Sequence, residues 1–132
     1  MMGGMNIVAA YAALVGFCGM ALFQLALALG APLGGFAWGG QVKRLPGALR
    51  IGSALSALLF LCGVLVLLQV LGHIAAFVGA GLLQGAMWVF ATLFAFSTLA
   101  NAMSKSRGEK LLMTPVAAVL CLASFVVASG LS

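Results

Sequence analysis

Leu58-Leu59-Phe60-Leu61-Cys62-Gly63-Val64-Leu65-Val66-Leu67-Leu68 is an unbroken apolar run near the middle of the chain. It shows none of the apolar–polar alternation that marks the roughly ten-residue strands of a membrane β-barrel. It lies inside a longer stretch without Lys, Arg, Asp or Glu, residues 51–104, which is 54 residues long. A hydrocarbon core about 30 Å thick is crossed by roughly 20 residues of helix at about 1.5 Å each. Within that solvent only helices and closed barrels satisfy their own backbone. Residues 51–104 therefore hold two helices and a turn. Working outward, residues 1–42 are also free of formal charge and hold one helix, and the 22 residues of 111–132 hold another. The expected fold class is all-α: an integral membrane four-helix bundle forming a single transmembrane domain over 1–132, with helices at about 6–29, 46–71, 79–101 and 109–130.

Local punctuation supports these bounds. Gly30 followed by Ala31-Pro32 stops the first helix, glycine serving as the left-handed cap and proline being unable to continue. Pro46 suits a first-turn position, where its missing N–H costs nothing. Gly72-His73 ends the second helix. Ser106-Arg107-Gly108-Glu109 matches the capping-box pattern of a Ser followed three residues later by Glu, while Thr114-Pro115 offers a competing start or a kink.

Composition excludes the other broad classes. Of 132 residues, 65% are hydrophobic and 5% charged, namely six Lys or Arg and one Glu. A disordered chain needs more charge than that, and so does a soluble globule of ordinary composition. The charges form two clusters, Lys43-Arg44 with Arg50 and Lys105-Arg107 with Glu109 and Lys110. They lie in alternate loops and hence on one side of the membrane. By the positive-inside rule loops 31–48 and 102–108 are cytoplasmic, and the N-terminus, the C-terminus and the 72–78 turn are outside. No Lys or Arg precedes Lys43, so the basic region of a cleavable signal peptide is absent and the first helix is expected to be retained. The net charge of +5 is explained by topology and by contact with anionic headgroups, so a nucleic-acid partner is not expected.

Small residues suggest how the helices meet. Gly16 on the first helix and the Gly81/Gly85 pair on the third allow close backbone approach, the main source of association where lipid is as apolar as Leu. Packing inside one bundle is the simpler account, and a homo-oligomer face is the alternative.

Function would show as polar groups at depth. The one acid is assigned to a basic loop, which argues against a carboxylate-driven exporter. The uncharged polar residues fall into two layers within the bundle: Gln69, His73 and Gln84 toward the outer side, Gln24, Ser97, Thr98 and Asn101 toward the cytoplasmic side. Phe36 and Trp38 read as interface anchors. Cys18, Cys62 and Cys121 lack a C-x-x-C spacing, no Ser-His-Asp set can be built without Asp, and a lone histidine does not make a metal site. No catalytic residue, metal or cofactor is expected. The Gly-rich segment 30–46, with Lys43, Arg44 and Arg50 nearby, could form an interfacial loop that holds an anionic headgroup, assisted by Lys105, Arg107 and Lys110. The alternative is a plain connector.

Ala37-Trp38-Gly39-Gly40, then Leu45-Pro46 and Arg50, and later Asn101, Ser104, Ser106-Arg107, Glu109 and Thr114-Pro115-Val116-Ala117, are similar to a group of small bacterial inner-membrane proteins. The resemblance covers most of the chain. It implies a multi-pass four-helix protein of the bacterial inner (cytoplasmic) membrane and carries over no site residue. The functional expectation is a non-enzymatic membrane protein acting by association, as a homo-oligomer or as an accessory subunit of a larger membrane complex, with anionic lipid at its cytoplasmic face. A small channel or transporter for an uncharged solute or anion, with its pore between protomers, is the alternative. A lipid-modifying enzyme is a third.

Overall fold

A computed structural model describes residues 3–131. It has four long helices, α1 (Gly4–Ala28), α2 (Gly47–Val70), α3 (Ala80–Ala102) and α4 (Thr114–Gly130). A π-helical turn, Glu109–Met113, runs directly into α4. Counted with that turn, all four are long and apolar enough to cross a membrane. The observed ends lie within two residues of those expected from the charge gaps.

Backbone chemistry explains where the helices stop. After α1, Gly30 takes φ +96°, and the Ala31 N–H reaches back to the Ala26 carbonyl at 2.9 Å. After α2, Gly72 takes φ +82°, and the His73 N–H reaches the Leu68 carbonyl at 2.9 Å. Both are Schellman closures, which consume the orphan carbonyls of a helix end and favour glycine at the left-handed position. The turn that follows α2 is then held by Gln69. Its Oε1 accepts the Phe77 and Val78 N–H groups, and its Nε2 donates to the Val78 carbonyl at 2.8 Å.

The helices pack as two hairpins. α1 lies chiefly on α2 and α3 on α4, while α1 against α4 joins the hairpins. α2 and α3 are consecutive in the chain yet touch much less. Phe17, fully buried on α1, stands at the centre. Its ring lies 4.7 Å from that of Phe90 and 5.4 Å from that of Phe94 on α3, and 6.2 Å from that of Phe60 on α2. The ring fits because Gly63 faces it: a Cβ at Gly63 would lie 2.5 Å from Phe17 and 2.8 Å from Phe90. Gly16 plays the same part at the α1–α4 crossing, where a Cβ would run into the Leu120 side chain.

Gly81 and Gly85 do not pack. Nothing lies within 4 Å of a Cβ built on either, and both are exposed. The small-xxx-small spacing on α3 faces away from the other three helices, because the buried face of α3 is set by Leu83, Met87, Phe90, Ala91 and Phe94. The expectation that Gly81 and Gly85 serve packing within one bundle is corrected accordingly.

The contrast is testable. Gly63→Ala should lower stability by about 1–3 kcal/mol, the usual cost of overpacking a filled core. Gly81→Ala should be neutral or slightly stabilising, since alanine is the better helix former. Unfolding of the detergent-solubilised protein by graded sodium dodecyl sulfate reads both.

Candidate functional site: a polar cavity at the basic end of the bundle

Below the aromatic centre all four helices line a partly open cavity of about 400 Å³. Phe60 and Phe94, stacked with centroids 5.7 Å apart, border it above. Gln24 on α1, Ser56 on α2, and Ser97 and Asn101 on α3 supply polar walls. Phe36, Trp38 and Glu109 border it at the loop end.

That loop end is built by the two connections that carry the basic residues. In the α1–α2 connection, Leu27, Ala37 and Leu45 bury together as a second small core, with Phe23, Leu33 and Leu49 around them. The Gly34 N–H donates to the Lys43 carbonyl at 2.7 Å. A Cβ on Gly34 would clash with the Val42 and Lys43 carbonyls, so this crossing requires glycine. The connection is joined to the α3–α4 loop by the Ser106 hydroxyl, which donates to the Gly35 carbonyl, and by Phe36, which lies against Gly108. Segment 30–46 is therefore an ordered loop folded under the bundle.

Trp38 is its strained point. It is the only non-glycine with positive φ among the described residues, at +51°, and Gly39 and Gly40 continue in the left-handed region. A left-handed conformation costs a bulky residue about 1–2 kcal/mol. The indole N–H offsets this by donating to Ser53 Oγ at 2.9 Å, and Ser53 is fully buried. The ring reaches over Gly52, where a Cβ would stand 3.0 Å from it. Trp38, expected as an interface anchor, is 44% exposed, and its polar edge is spent inward on α2. Phe36 is likewise half-buried against Gly108 and borders the cavity.

Glu109 is the residue that sequence reasoning missed. It is only 7% exposed and borders both the inner cavity and an adjoining outer one of about 450 Å³. Its carboxylate accepts the Ser104 hydroxyl at 2.6 Å. The expected capping box is half formed: the Glu109 N–H does reach Ser106 Oγ at 3.3 Å, but the Ser106 N–H goes to Ser104 Oγ at 3.1 Å and not to the glutamate. The carboxylate is thereby free to point into the cavity. Pro115 has no N–H to give, and the Thr114 N–H and hydroxyl both reach the Glu109 carbonyl. One signal was present in the sequence: Glu109 is in phase with Met113, Ala117 and Leu120, the buried stripe leading into α4.

The remaining expected site residues separate. Gln24 faces the cavity, and its Oε1 is buried without a hydrogen-bond partner. Asn101 lines the cavity beside it. Gln69 is used up on its own turn, and Gln84 Nε2 donates to the Ala128 carbonyl at 2.9 Å. His73 is exposed and not within the bundle; its Nε2 is paired with the Tyr11 hydroxyl at 2.8 Å. The three expected outer polar residues thus share no cavity. Among the basic residues, Arg50 is already engaged. Its Nε donates to the Ala28 carbonyl at 2.8 Å, a cation at the negative end of α1. Lys43, Arg44, Lys105, Arg107 and Lys110 are exposed at the same end of the molecule, and Lys105 borders the outer cavity.

The fold defines the class: a multi-pass helical membrane protein. No family model, curated protein or solved structure matches the chain.

The Trp38–Ser53 bond yields a direct test. Trp38→Phe leaves the buried Ser53 hydroxyl to find another partner and should cost about 1–2 kcal/mol. Combined with Ser53→Ala, the penalties should be less than additive, because both changes remove the same bond. A double-mutant cycle of unfolding free energies measures it.

Proposed function

We propose that this chain is a binding protein of the bacterial inner membrane that holds a small amphiphilic ligand in the cavity at its basic end. The observation that carries the reading is the buried carboxylate of Glu109 bordering a partly open cavity that Gln24, Ser97 and Asn101 also line. Buried polar groups are normally hydrogen-bonded, and a carboxylate offers about four acceptor sites, of which Ser104 takes one. A ligand that supplies donors completes the carboxylate.

Binding suits the site better than chemistry or conduction. The polar groups sit at one end, and the ring cluster of Phe17, Phe60, Phe90 and Phe94 fills the bundle above them. A path through one protomer would have to displace that core. The hydroxyl beside the single carboxyl group, Ser104, borders the outer cavity, and the inner cavity adds only amide, hydroxyl and indole groups. The basic end is assigned to the cytoplasm from the exposed Lys and Arg of the two loops, which also favour anionic headgroups around the rim.

Two measurements test this. Native mass spectrometry of protein released from maltoside micelles should show a retained small molecule on the wild type. Ala100→Trp, which places an indole where both cavities meet, should lose it while unfolding at the same denaturant level. An adduct-free wild type refutes the reading. For orientation, Cys18, Cys62 and Cys121 are first replaced by Ala. Single Lys43→Cys and Arg107→Cys variants should then resist an impermeant maleimide added to intact cells, and Ala75→Cys should react; the reverse pattern inverts the assignment.

A further inference from the structure

The chemistry of the cavity specifies the ligand more closely. This step rests on the binding reading above. We propose that the group bound is a protonated primary amine carried on an apolar body: an alkyl ammonium or the ammonium end of an aminolipid headgroup.

Three observations converge on that class. The under-bonded group that the cavity reaches is an acceptor, the Glu109 carboxylate on the turn leading into α4, with the unbonded Gln24 amide of α1 bordering the same space. A primary ammonium brings three N–H donors and no acceptor, which suits a carboxylate with unfilled acceptor sites. It also brings positive charge to a carboxylate that is 7% exposed and receives its hydrogen bond from a neutral serine. A buried charge is costly unless paired, so the ligand gains most from the group the protein alone leaves incomplete. The third observation is the apolar lining. Phe23, Phe36, Trp38, Phe60 and Phe94 border the same space, and aromatic faces are the apolar surfaces that attract a cation. An anion would meet the acceptors with repulsion, so the exposed lysines and arginines outside do not describe the inner site.

The same geometry indicates how the ligand sits. Lys105 borders the outer cavity, which shares Trp38, Ala100 and Glu109 with the inner one. A free cation approaching from water meets that lysine first. An amphiphile approaching from the bilayer meets α2 and α3, the consecutive helices that pack least against each other. The ammonium then lies between Gln24 and Glu109, and the apolar body leaves past Phe60 between those two helices. Where the amine belongs to an aminophospholipid, Lys105 is placed to receive the adjoining phosphate.

The test uses Trp38 as its reporter. In a Trp88→Phe background it is the single tryptophan of the two in the chain. Dodecylamine titrated into the full-length protein in maltoside should change Trp38 emission saturably, and dodecanol should not. Glu109→Gln keeps the shape and can still accept from Ser104; it should weaken dodecylamine binding about tenfold or more, the effect of removing a charged hydrogen-bond partner. Gln24→Leu should weaken it by a smaller factor and serves as a second variant should Glu109→Gln fail to fold. Unchanged affinity in both variants overturns the proposal. Equal binding of dodecanol and dodecylamine overturns the amine assignment but leaves the cavity as a ligand site. Binding of neither overturns the amine assignment and removes support from the binding reading, which the adduct measurement then decides by itself. The source is read by native mass spectrometry with mixed lipids. Phosphatidylethanolamine retained over phosphatidylglycerol, and lost in Glu109→Gln, identifies a bilayer aminolipid. Dodecylamine binding without retained lipid identifies a free amphiphilic amine.

Discussion

The contact between Phe17 and Gly63 sets the spacing of the whole bundle. In a bilayer, helices gain little from hiding apolar surface, so close packing has to hold them together. A phenyl ring at the centre of four helices would normally force them apart. Gly63 removes the Cβ that would collide with it, and Phe60, Phe90 and Phe94 close around the ring. The two hairpins therefore meet tightly at this level. Below it, side chains no longer fill the space between them. The cavity lies below this well-packed centre.

What keeps that end from collapsing is the layer made by the two loops. Ser106 bonded to the Gly35 carbonyl, Phe36 on Gly108, and Trp38 bonded to Ser53 tie each loop to the other and to α2. The left-handed Trp38 costs about 1–2 kcal/mol. An unbonded hydroxyl at the fully buried Ser53 would cost about 1–3 kcal/mol, and withdrawing the indole from Gly52 would forfeit ring contacts as well. The balance favours the strained loop, which holds an aromatic wall rigidly against the cavity.

A backbone irregularity begins at Glu109. A regular helix through 109–115 would ask Pro115 for an N–H it does not have. The chain answers with a π turn in which Thr114 reaches back to the Glu109 carbonyl by two bonds. Such turns recur at functional sites. Here the first side chain of the turn is the only acid of the chain, brought under cover at the depth where the basic loops meet the bundle. Ser104 holds it, so its orientation does not depend on a ligand.

The sequence by itself determined the fold class, the number of helices and their ends, because spans are set by the lengths of uncharged stretches and by Gly and Pro at their limits. Gaps between charged residues, Gly30 and Gly72 are local features, and local features survive without a partner. It also grouped Gln24, Ser97 and Asn101 at one depth, since depth follows from residue count along a helix. Azimuth does not, and there the tertiary structure decided. Gly81 and Gly85 have the spacing of a packing motif yet face outward, while Gly16 and Gly63 face rings and branches that only the assembled bundle supplies. Trp38 and Phe36 have the composition of interface anchors, and only the fold brings the indole N–H to Ser53 and the Phe36 ring to Gly108. Glu109 belongs to a basic cluster in sequence and to a buried cavity in space, because it falls on the stripe of Met113, Ala117 and Leu120 that packs inward. Charge pattern reports distance from the membrane surface; which groups converge on one site depends on helix rotation and contact across the bundle.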